Sequence, residues 1–172
     1  IGRASNIMIC RNGTGYAATW DQHDTTTDMY GTAYGASGWD SAAVLDHRTD
    51  PAYAEGLVSQ GTVGCASIWV QWDGERFNYF ASQCGNDRWS AESALARGSH
   101  GGACDSPALV ANAEGTVLAV WRQFRPEPGN YMAYAAYASV CRRGKWSAPF
   151  LFADSPSLSK LEFRDWGLCD KR

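Results

Sequence analysis

The sequence predicts an all-β chain made of repeats that each fold as a four-stranded sheet. Its 172 residues include 18 Gly, eight Trp, eight Tyr and six Phe, and stretches that favour a helix are few. A strand-like run that ends in the letters W-x-Q occurs three times, at intervals of roughly 50 residues, a period typical of repeat folds. The three runs contain Trp20, Trp69 and Trp121.

Two further features follow each W-x-Q run in the same order, first an aromatic stretch and then a second Trp. The second Trp residues are Trp39, Trp89 and Trp146. The W-x-Q run, the aromatic stretch and the second Trp occur in this order three times, so together they define three repeats. Their boundaries are residues 1–50 for repeat 1, 51–99 for repeat 2 and 100–153 for repeat 3. Residues 154–172 begin a further repeat or form a C-terminal tail, because Asp154-Ser155-Pro156 resembles the start of repeat 3 at Asp105-Ser106-Pro107.

Each repeat is predicted to hold four short strands separated by turn signals such as Arg143-Gly144. Repeat 3 gives the clearest strands, at about Ala108–Ala111, Val117–Gln123, Met132–Ser139 and Phe150–Ala153. Four-stranded meanders at this period are typical of β-propeller blades, and bulky Trp side chains fit the space between blades. The sequence therefore predicts β-propeller-type repeats, about three four-stranded blades plus an extra strand.

The repeat also resembles a known family. The pattern S-P-x-L-x-x-x-x-x-G-x-x-x-A-V-W-x-Q, followed by an aromatic strand and G-x-W-S-x-P, is similar to the repeat of bacterial secreted sialidase-like and lectin-like β-propellers. The resemblance implies the propeller fold and either glycan binding or glycoside hydrolysis. The family's Asp-box, S-x-D-x-G-x-x-W, is incomplete here, because Cys84 replaces its Asp. Glycoside hydrolysis needs two placed carboxyl groups, and none are marked, so we predict no catalytic residue.

Three blades are too few to close a ring, since propellers typically have four to eight. An incomplete ring would leave Trp and Tyr exposed on its open blade faces, and such a patch implies a partner. We therefore predict a homo-oligomer, or a second polypeptide that supplies the missing blades. An alternative is a structural subunit of an extracellular filament or adhesin, because head-to-tail contacts can also propagate without closing.

Non-enzymatic binding, with a glycan as the ligand, is the function that the repeated aromatic residues favour. His23, Trp72 and Phe124 each lie three residues after the first Trp of a repeat, so strand alternation places them on the opposite face. Flat rings at these positions suit sugars, with hydrogen bonds from the amides of Gln22, Gln71 and Gln123. The alternative is that the first Trp of each repeat and these three residues on the opposite face all serve only to pack the blades together. No metal site and no cofactor is predicted, because the acidic segment around His23 is interpreted as a solvated loop.

Six dispersed cysteines indicate disulfides formed in an oxidising compartment, with a reduced core as the alternative. They are Cys10, Cys65, Cys84, Cys104, Cys141 and Cys169. A two-residue turn at Gly74-Glu75 places Cys65 opposite Cys84, which we expect to be a non-hydrogen-bonded pair close enough for a disulfide. Cys141 lies opposite the region of Val117, so its partner must lie elsewhere.

Charge and hydropathy exclude two classes of partner. The net charge is -3, and the 15 Lys and Arg residues are scattered, so nucleic-acid binding is not expected. No run approaches the roughly 18 apolar residues of a membrane-spanning helix. The chain begins at Ile1 without an apolar leader, which fits a processed protein or a fragment. With the cysteines, these features predict a secreted or cell-surface location.

Overall fold

The computed structural model describes residues 2–85, 88–97, 104–124 and 134–154, with only the backbone at positions 97, 104–106, 124 and 154. Every regular element in these ranges is a β-strand. Fourteen of the strands lie within the three predicted repeats. The last strand extends one residue beyond the predicted end of repeat 3, to Asp154. The strands are β1 (Arg3–Asn12), β2 (Gly15–His23), β3 (Thr27–Gly35), β4 (Gly38–Trp39), β5 (Ala43–Val44), β6 (Ala52–Ser59), β7 (Cys65–Trp72), β8 (Phe77–Gly85), β9 (Arg88–Trp89), β10 (Ser93–Arg97), β11 (Cys104–Ala111), β12 (Val117–Phe124), β13 (Tyr134–Arg142), β14 (Lys145–Trp146) and β15 (Phe150–Asp154).

The strands form three antiparallel sheets, one for each predicted repeat. The first three strands of each sheet pair in sequence order, and two short strands together form the fourth position beside the third strand. The all-β prediction and the four-stranded repeat are confirmed. Most of the predicted further repeat, residues 155–172, lies outside the described residues.

The closing Trp of each repeat is followed by a break in the fourth strand. In the second sheet the amide of Ser90 donates to the carbonyl of Gln83 at 2.7 Å, and the Ser82 hydroxyl donates to the carbonyl of Ser90 at 2.7 Å. The same pair of bonds recurs at Ser147 in the third sheet and at Asp40 in the first. These bonds satisfy the backbone where the ladder is interrupted. The hydroxyls of Ser90 and Ser147 also accept from the amides of Gln83 and Val140 at 3.1 Å, which explains the Ser after the closing Trp in these two repeats.

Each first strand also contains a bulge. Register shifts occur between Ser5 and Met8, between Ala54 and Gly56, and between Asp105 and Ala108. The bulge lets β11 continue through residues 104–107, so this strand is longer than the predicted Ala108–Ala111 segment. A bulge bends its strand and leaves backbone groups without ladder partners. Side chains can then bind those groups, as described below.

The recurring first Trp packs between consecutive sheets. Trp69 is fully buried among Met29 and Leu45 of the first sheet and Phe80 of its own. Trp121 is fully buried against the second sheet, in a cluster of Ile68, Val70, Tyr79, Ala81, Leu95, Ala96 and Ala119. Burying one such ring removes roughly 200 Å² from water, about 5 kcal/mol as an upper estimate. The predicted role of these two residues in inter-sheet packing is confirmed.

The sheets meet mainly through their first strands. Strand β6 of the second sheet packs against β1, β2 and β3 of the first sheet and against β11 of the third. No helix in the described ranges is long and apolar enough to cross a bilayer.

Candidate functional site

One face of the first sheet carries a continuous group of aromatic side chains. Pairing in the ladder places Tyr16 opposite Tyr34, Trp20 opposite Tyr30, and Tyr34 opposite Trp39. Directly paired residues project to the same side of a sheet, so all five share one face. The next residues along β2 and β3, such as Ala17, project toward the second sheet instead. We call these five residues the aromatic face.

The aromatic face is exposed at its outer part and partly buried at its centre. Tyr16, Tyr34 and Trp39 are 50%, 40% and 52% exposed. Trp20 stacks on Tyr30 with ring centroids 5.8 Å apart at 14°, and Trp39 meets Tyr34 edge-on at 5.3 Å. A single exposed apolar side chain is ordinary on a protein surface. A contiguous group of large exposed rings, in contrast, indicates a binding surface.

Polar groups at the aromatic face are available for hydrogen bonds. The Trp20 indole N–H approaches the Gln22 side-chain oxygen at 3.5 Å. Partial desolvation, with a smaller contribution from the Asp28 carboxylate, raises the pKa of the Tyr30 hydroxyl. Tyr30 therefore remains a neutral donor at physiological pH.

Two of the predicted platform residues, His23 and Trp72, lie on the opposite face from the first Trp of their repeats, as expected, but their rings contact other side chains. His23 has Nε2 at 2.8 Å from the Ser5 hydroxyl and Nδ1 at 2.8 Å from the Thr27 hydroxyl. Trp72 packs against Phe77 with centroids 4.9 Å apart. The structure describes only the backbone of the third platform residue, Phe124, at the end of β12.

The three predicted amide ligands lie on the wrong face to serve those platforms. Residues two apart in a strand share a face, so Gln22, Gln71 and Gln123 lie beside the first Trp of their repeat. Gln71 is fully buried and donates to the Asp46 carboxylate at 3.1 Å and to the Asp50 carbonyl at 2.8 Å. Gln71 acts as a structural amide in this structure, and its role as a ligand residue stays a prediction.

The amides of the other two repeats have a different role. Gln123 accepts from the Trp121 indole N–H at 3.4 Å, as Gln22 does from Trp20. The indole N–H of Trp69 has no hydrogen-bond partner in the part of the chain that the structure describes. The amide of Gln71 is instead held by Asp46, which is why this repeat departs from the pattern.

A buried carboxylate joins the first two sheets, and sequence reasoning assigned it to a solvated loop. Asp21 is fully buried, and one carboxylate oxygen accepts from the Ala54 amide at 2.7 Å. The other oxygen accepts from Ser5 at 3.1 Å and from Asn6 at 2.9 Å, both at the bulge of β1. Asp21 therefore accepts hydrogen bonds from residues at the bulges of both β1 and β6. The solvated-loop interpretation is wrong for this residue. Only the position of Asp21 inside a strand could have indicated this.

Asp46 is a second buried carboxylate at this junction. It accepts from the Met29 amide at 2.8 Å and from Gln71. Burial raises the pKa of Asp46 to about 6, against the opposing effect of the hydrogen bond from Met29. Within the described ranges, no group of three or more His, Cys, Asp or Glu is arranged to hold a metal ion.

The cysteine geometry confirms one expectation and corrects another. Cys65 lies directly opposite Cys84, and Cys141 lies opposite Val117, as predicted. The amide and carbonyl of Gln83 both bond to Ser90, away from β7. Alternation along the ladder therefore makes Cys65–Cys84 a hydrogen-bonded pair, and the expected non-hydrogen-bonded pair is wrong.

The thiols that the structure describes are in the reduced form, at Cys10, Cys65, Cys84 and Cys141. The structure describes only the backbone of Cys104, and Cys169 lies outside the described residues. Disulfide formation stays a prediction.

Comparison with known proteins gives no relative for this chain. No family model matches it, and neither a curated protein nor a solved structure does. The resemblance to sialidase-like and lectin-like propellers, and the hydrolase alternative that it implies, stay predictions. The functional argument rests on the chain's own geometry.

Proposed function

We propose that this chain is a non-enzymatic binding module of the β-propeller type, and that its aromatic face binds a four-stranded repeat of a second copy. One observation supports this most directly. Two Trp positions of the aromatic face have equivalents in the second and third sheets, and the preceding sheet covers those equivalents. In the first sheet the same positions face outward, so the surface matches one side of an interface that the chain already forms twice.

The closing Trp residues illustrate this equivalence. Trp89 of the second sheet packs on Gly31 and Leu45 of the first, so closely that an added Cβ on Gly31 would lie 2.7 Å from the Trp89 ring. Trp146 of the third sheet packs against the second in the same way. The equivalent residue of the first sheet, Trp39, is 52% exposed. The expected occupant is therefore a sheet face built of small residues.

The corresponding face of the third sheet is the partner surface in this proposal. Ala138 on β13 occupies the place of Gly31 and Ala81 in the earlier repeats, but it is fully buried within the single chain, and Phe150 beside it is 46% exposed. Docking on this face therefore starts at Phe150 and requires Ala138 to be uncovered. Two chains joined through two such contacts give a closed assembly of six repeats, within the range of four to eight blades. Secretion or surface display is part of the proposal, because six Cys in a short chain suit an oxidising compartment.

Sedimentation velocity across a range of protein concentrations tests the proposal. We expect the mass of two chains, and we expect the double variant Trp20→Ala/Trp39→Ala to remain a single chain. Trp72→Ala is the matched control, because it removes an aromatic ring from the opposite face of a sheet. A wild-type protein that stays a single chain at every concentration would contradict the proposal. Growth beyond two chains would instead favour the filament alternative.

Glycan binding is a second candidate, and the aromatic face is a better place for it than the predicted platforms. The Trp20 ring, the Tyr30 hydroxyl and the Gln22 amide share this face, which combines a flat apolar surface with hydrogen-bonding groups. A glycan array followed by calorimetry would test it. Binding that Trp20→Ala abolishes, in a protein of single-chain mass, would replace self-assembly by glycan recognition.

A further inference from the structure

Three thiols meet at the junction of the first and second sheets. Cys65 on β7 and Cys84 on β8 project toward the first sheet and are almost fully buried. Cys10 on β1 packs against them from the other side of the junction, in an apolar cluster with Ala17 and Ala33, and is partly exposed. Cys10, Cys65 and Cys84 are the thiol trio.

Cys65 is the central member of the thiol trio. It lies directly opposite Cys84 in the ladder, and Cys10 packs against the cluster that holds both. Cys10 also approaches the Arg11 carbonyl at 3.3 Å, and the Asn12 side-chain nitrogen approaches Cys84 at 3.5 Å.

The trio does not recur at the next junction. Val117 replaces Cys65 in the third repeat, opposite Cys141. The Cys141 sulfur instead accepts from the Gln83 side-chain nitrogen at 2.9 Å. A requirement of the repeat itself therefore does not explain three thiols at the first junction. Apolar packing of reduced cysteines and thiol chemistry are the two explanations, and the test below separates them.

We propose that the thiol trio is a redox site in which Cys65 forms one disulfide at a time, either with Cys10 across the sheet junction or with Cys84 across the hairpin. A sulfur atom takes part in only one disulfide, so the two bonds exclude each other. The Cys10–Cys65 bond ties two sheets together, whereas the Cys65–Cys84 bond lies within one sheet. The third thiol stays reduced and is placed to exchange with the bond.

Backbone geometry permits the bond within the hairpin. Facing residues of a hydrogen-bonded antiparallel pair have Cα atoms about 5.5 Å apart, which lies inside the usual disulfide range of about 4.4–6.8 Å. The packing of Cys10 against the cluster that holds Cys65 supports the bond across the junction. The Cβ atoms of a hydrogen-bonded pair lie near the upper end of about 4.5–5.5 Å, whereas a disulfide needs about 3.5–4.5 Å. The Cys65–Cys84 bond therefore draws the two strands together locally and is strained, and a strained disulfide is readily exchanged.

Oxidation begins at Cys10, the accessible member of the trio. The hydrogen bond from Cys65 lowers the pKa of Cys10, and the contacts with Cys10 and Cys84, together with burial, raise the pKa of Cys65. The thiolate is the attacking form, so Cys10 reacts first. The oxidant is a small-molecule disulfide, such as oxidised glutathione.

The electron and proton balance is that of thiol–disulfide exchange. The Cys10 thiolate attacks one sulfur of the small disulfide, forms a mixed disulfide and releases a small thiolate. That thiolate takes the proton of Cys65, and the Cys65 sulfur attacks the Cys10 sulfur and expels the second small thiolate, which takes up the proton that Cys10 had lost. Two protein thiols are oxidised and one small disulfide is reduced to two thiols.

Exchange within the trio needs no further oxidant. The Cys84 sulfur attacks the Cys65 sulfur, which forms the Cys65–Cys84 bond. Cys10 leaves as the thiolate and takes up the proton that Cys84 gives up. The link between the sheets opens in this step, and the total number of disulfides is unchanged.

Peptide mapping after equilibration in glutathione buffers tests the proposal. Trypsin places the three thiols on separate peptides, residues 4–11, 49–76 and 77–88, after the remaining thiols are blocked by rapid alkylation in acid-quenched samples. We expect two linked pairs in the oxidised wild-type protein, 4–11 with 49–76 and 49–76 with 77–88. The fraction of protein that carries either link should rise with the buffer potential, whereas the ratio of the two links should stay constant, because the exchange between them changes no oxidation state.

Single substitutions separate the two bonds. Cys10→Ser should leave only the Cys65–Cys84 link, Cys84→Ser only the Cys10–Cys65 link, and Cys65→Ser neither. Cys141→Ser is the matched control, because it removes a buried thiol outside the trio and should change neither link. The wild-type map alone decides the question if a variant fails to fold.

Three results would overturn the proposal. Peptide 49–76 could remain fully alkylated in oxidised glutathione, or it could be linked to a peptide outside the trio. Linkage of Cys65 to the same single partner at every buffer potential would contradict the exchange.

Discussion

The first sheet and its two successors carry the same aromatic pair in different surroundings. Trp20 stacks on Tyr30 at 5.8 Å and 14°, and Trp69 stacks on Phe80 at 6.1 Å and 24°. Trp69 is fully buried by the sheet before it, whereas Trp20 is only half buried. The pairing within each sheet therefore determines how the two rings stack. The neighbouring sheet determines whether the Trp ring is shielded from water.

The repeated Trp therefore contributes free energy in two different ways, to folding where it is buried and to binding where it is exposed. A buried Trp contributes to stability through the area that it removes from water, so its truncation leaves a cavity. A half-exposed Trp contributes little until a partner covers it, and then its contribution appears as affinity. The following changes test this division, from the largest expected effect to the smallest.

Truncation of the buried ring should have the largest effect. Trp69→Ala is expected to lower the free energy of unfolding by about 3–5 kcal/mol, and Trp20→Ala by about 1 kcal/mol, because only the first substitution leaves a cavity. Urea unfolding at low protein concentration, where the chain is single, measures both. Equal losses would show that the two environments are not different.

A methyl group added at the sheet junction should have a smaller effect. An added Cβ on Gly31 would lie 2.7 Å from the Trp89 ring and 2.9 Å from Leu45, so Gly31→Ala forces one of them to move. We expect a loss of about 1–3 kcal/mol in urea unfolding. Gly85→Ala is the control, since its Cβ would meet only the Val63 carbonyl at 3.6 Å. If both variants are equally stable, the close packing of Trp89 is wrong.

The pH dependence of stability should report on Asp46. Burial raises the pKa of Asp46 to about 6 in the folded chain, so the folded state holds this proton more tightly than the unfolded state. The stabilisation is complete below about pH 4 and is lost as pH rises through about 6, about 3 kcal/mol in all. Asp46→Asn should remove this slope from urea unfolding measured between pH 4 and 7. Asp40→Asn, at an exposed carboxylate, is the control, and an unchanged slope in Asp46→Asn would contradict the assignment.

Removing the hydroxyl hydrogen bond at the strand break should lower the free energy of unfolding slightly, and by the same amount in the second and third repeats. Ser82 and Ser139 each donate a hydroxyl hydrogen bond to the carbonyl of the Ser after the closing Trp, at 2.7 and 2.9 Å. Ser82→Ala and Ser139→Ala should each cost about 1 kcal/mol in urea unfolding. A difference of more than about 1 kcal/mol between them would mean that the repeats do not share this device.

Local sequence patterns predicted the elements, their faces and the packing of the repeated Trp between sheets, but not the polar and thiol contacts between sheets. The Trp spacing predicted three sheets, and the turn at Gly74 predicted the pairing of Cys65 with Cys84, because strand periodicity and turn length act over a few residues. The approach of Cys10 to Cys65 depends on packing between sheets, and no short-range pattern encodes it. The burial of Gln71 has the same origin, since its partner Asp46 belongs to the preceding repeat.

The central claim is that another repeat covers the aromatic face, and hydroxyl-radical footprinting with mass spectrometry tests it most directly. The oxidation of Tyr16 and Trp39 is compared between dilute and concentrated protein, with Trp72 on the opposite face as the internal reference. We predict that the oxidation of Tyr16 and Trp39 falls several-fold in concentrated protein, while that of Trp72 is unchanged. Equal oxidation of Trp39 in dilute and concentrated samples would contradict the claim.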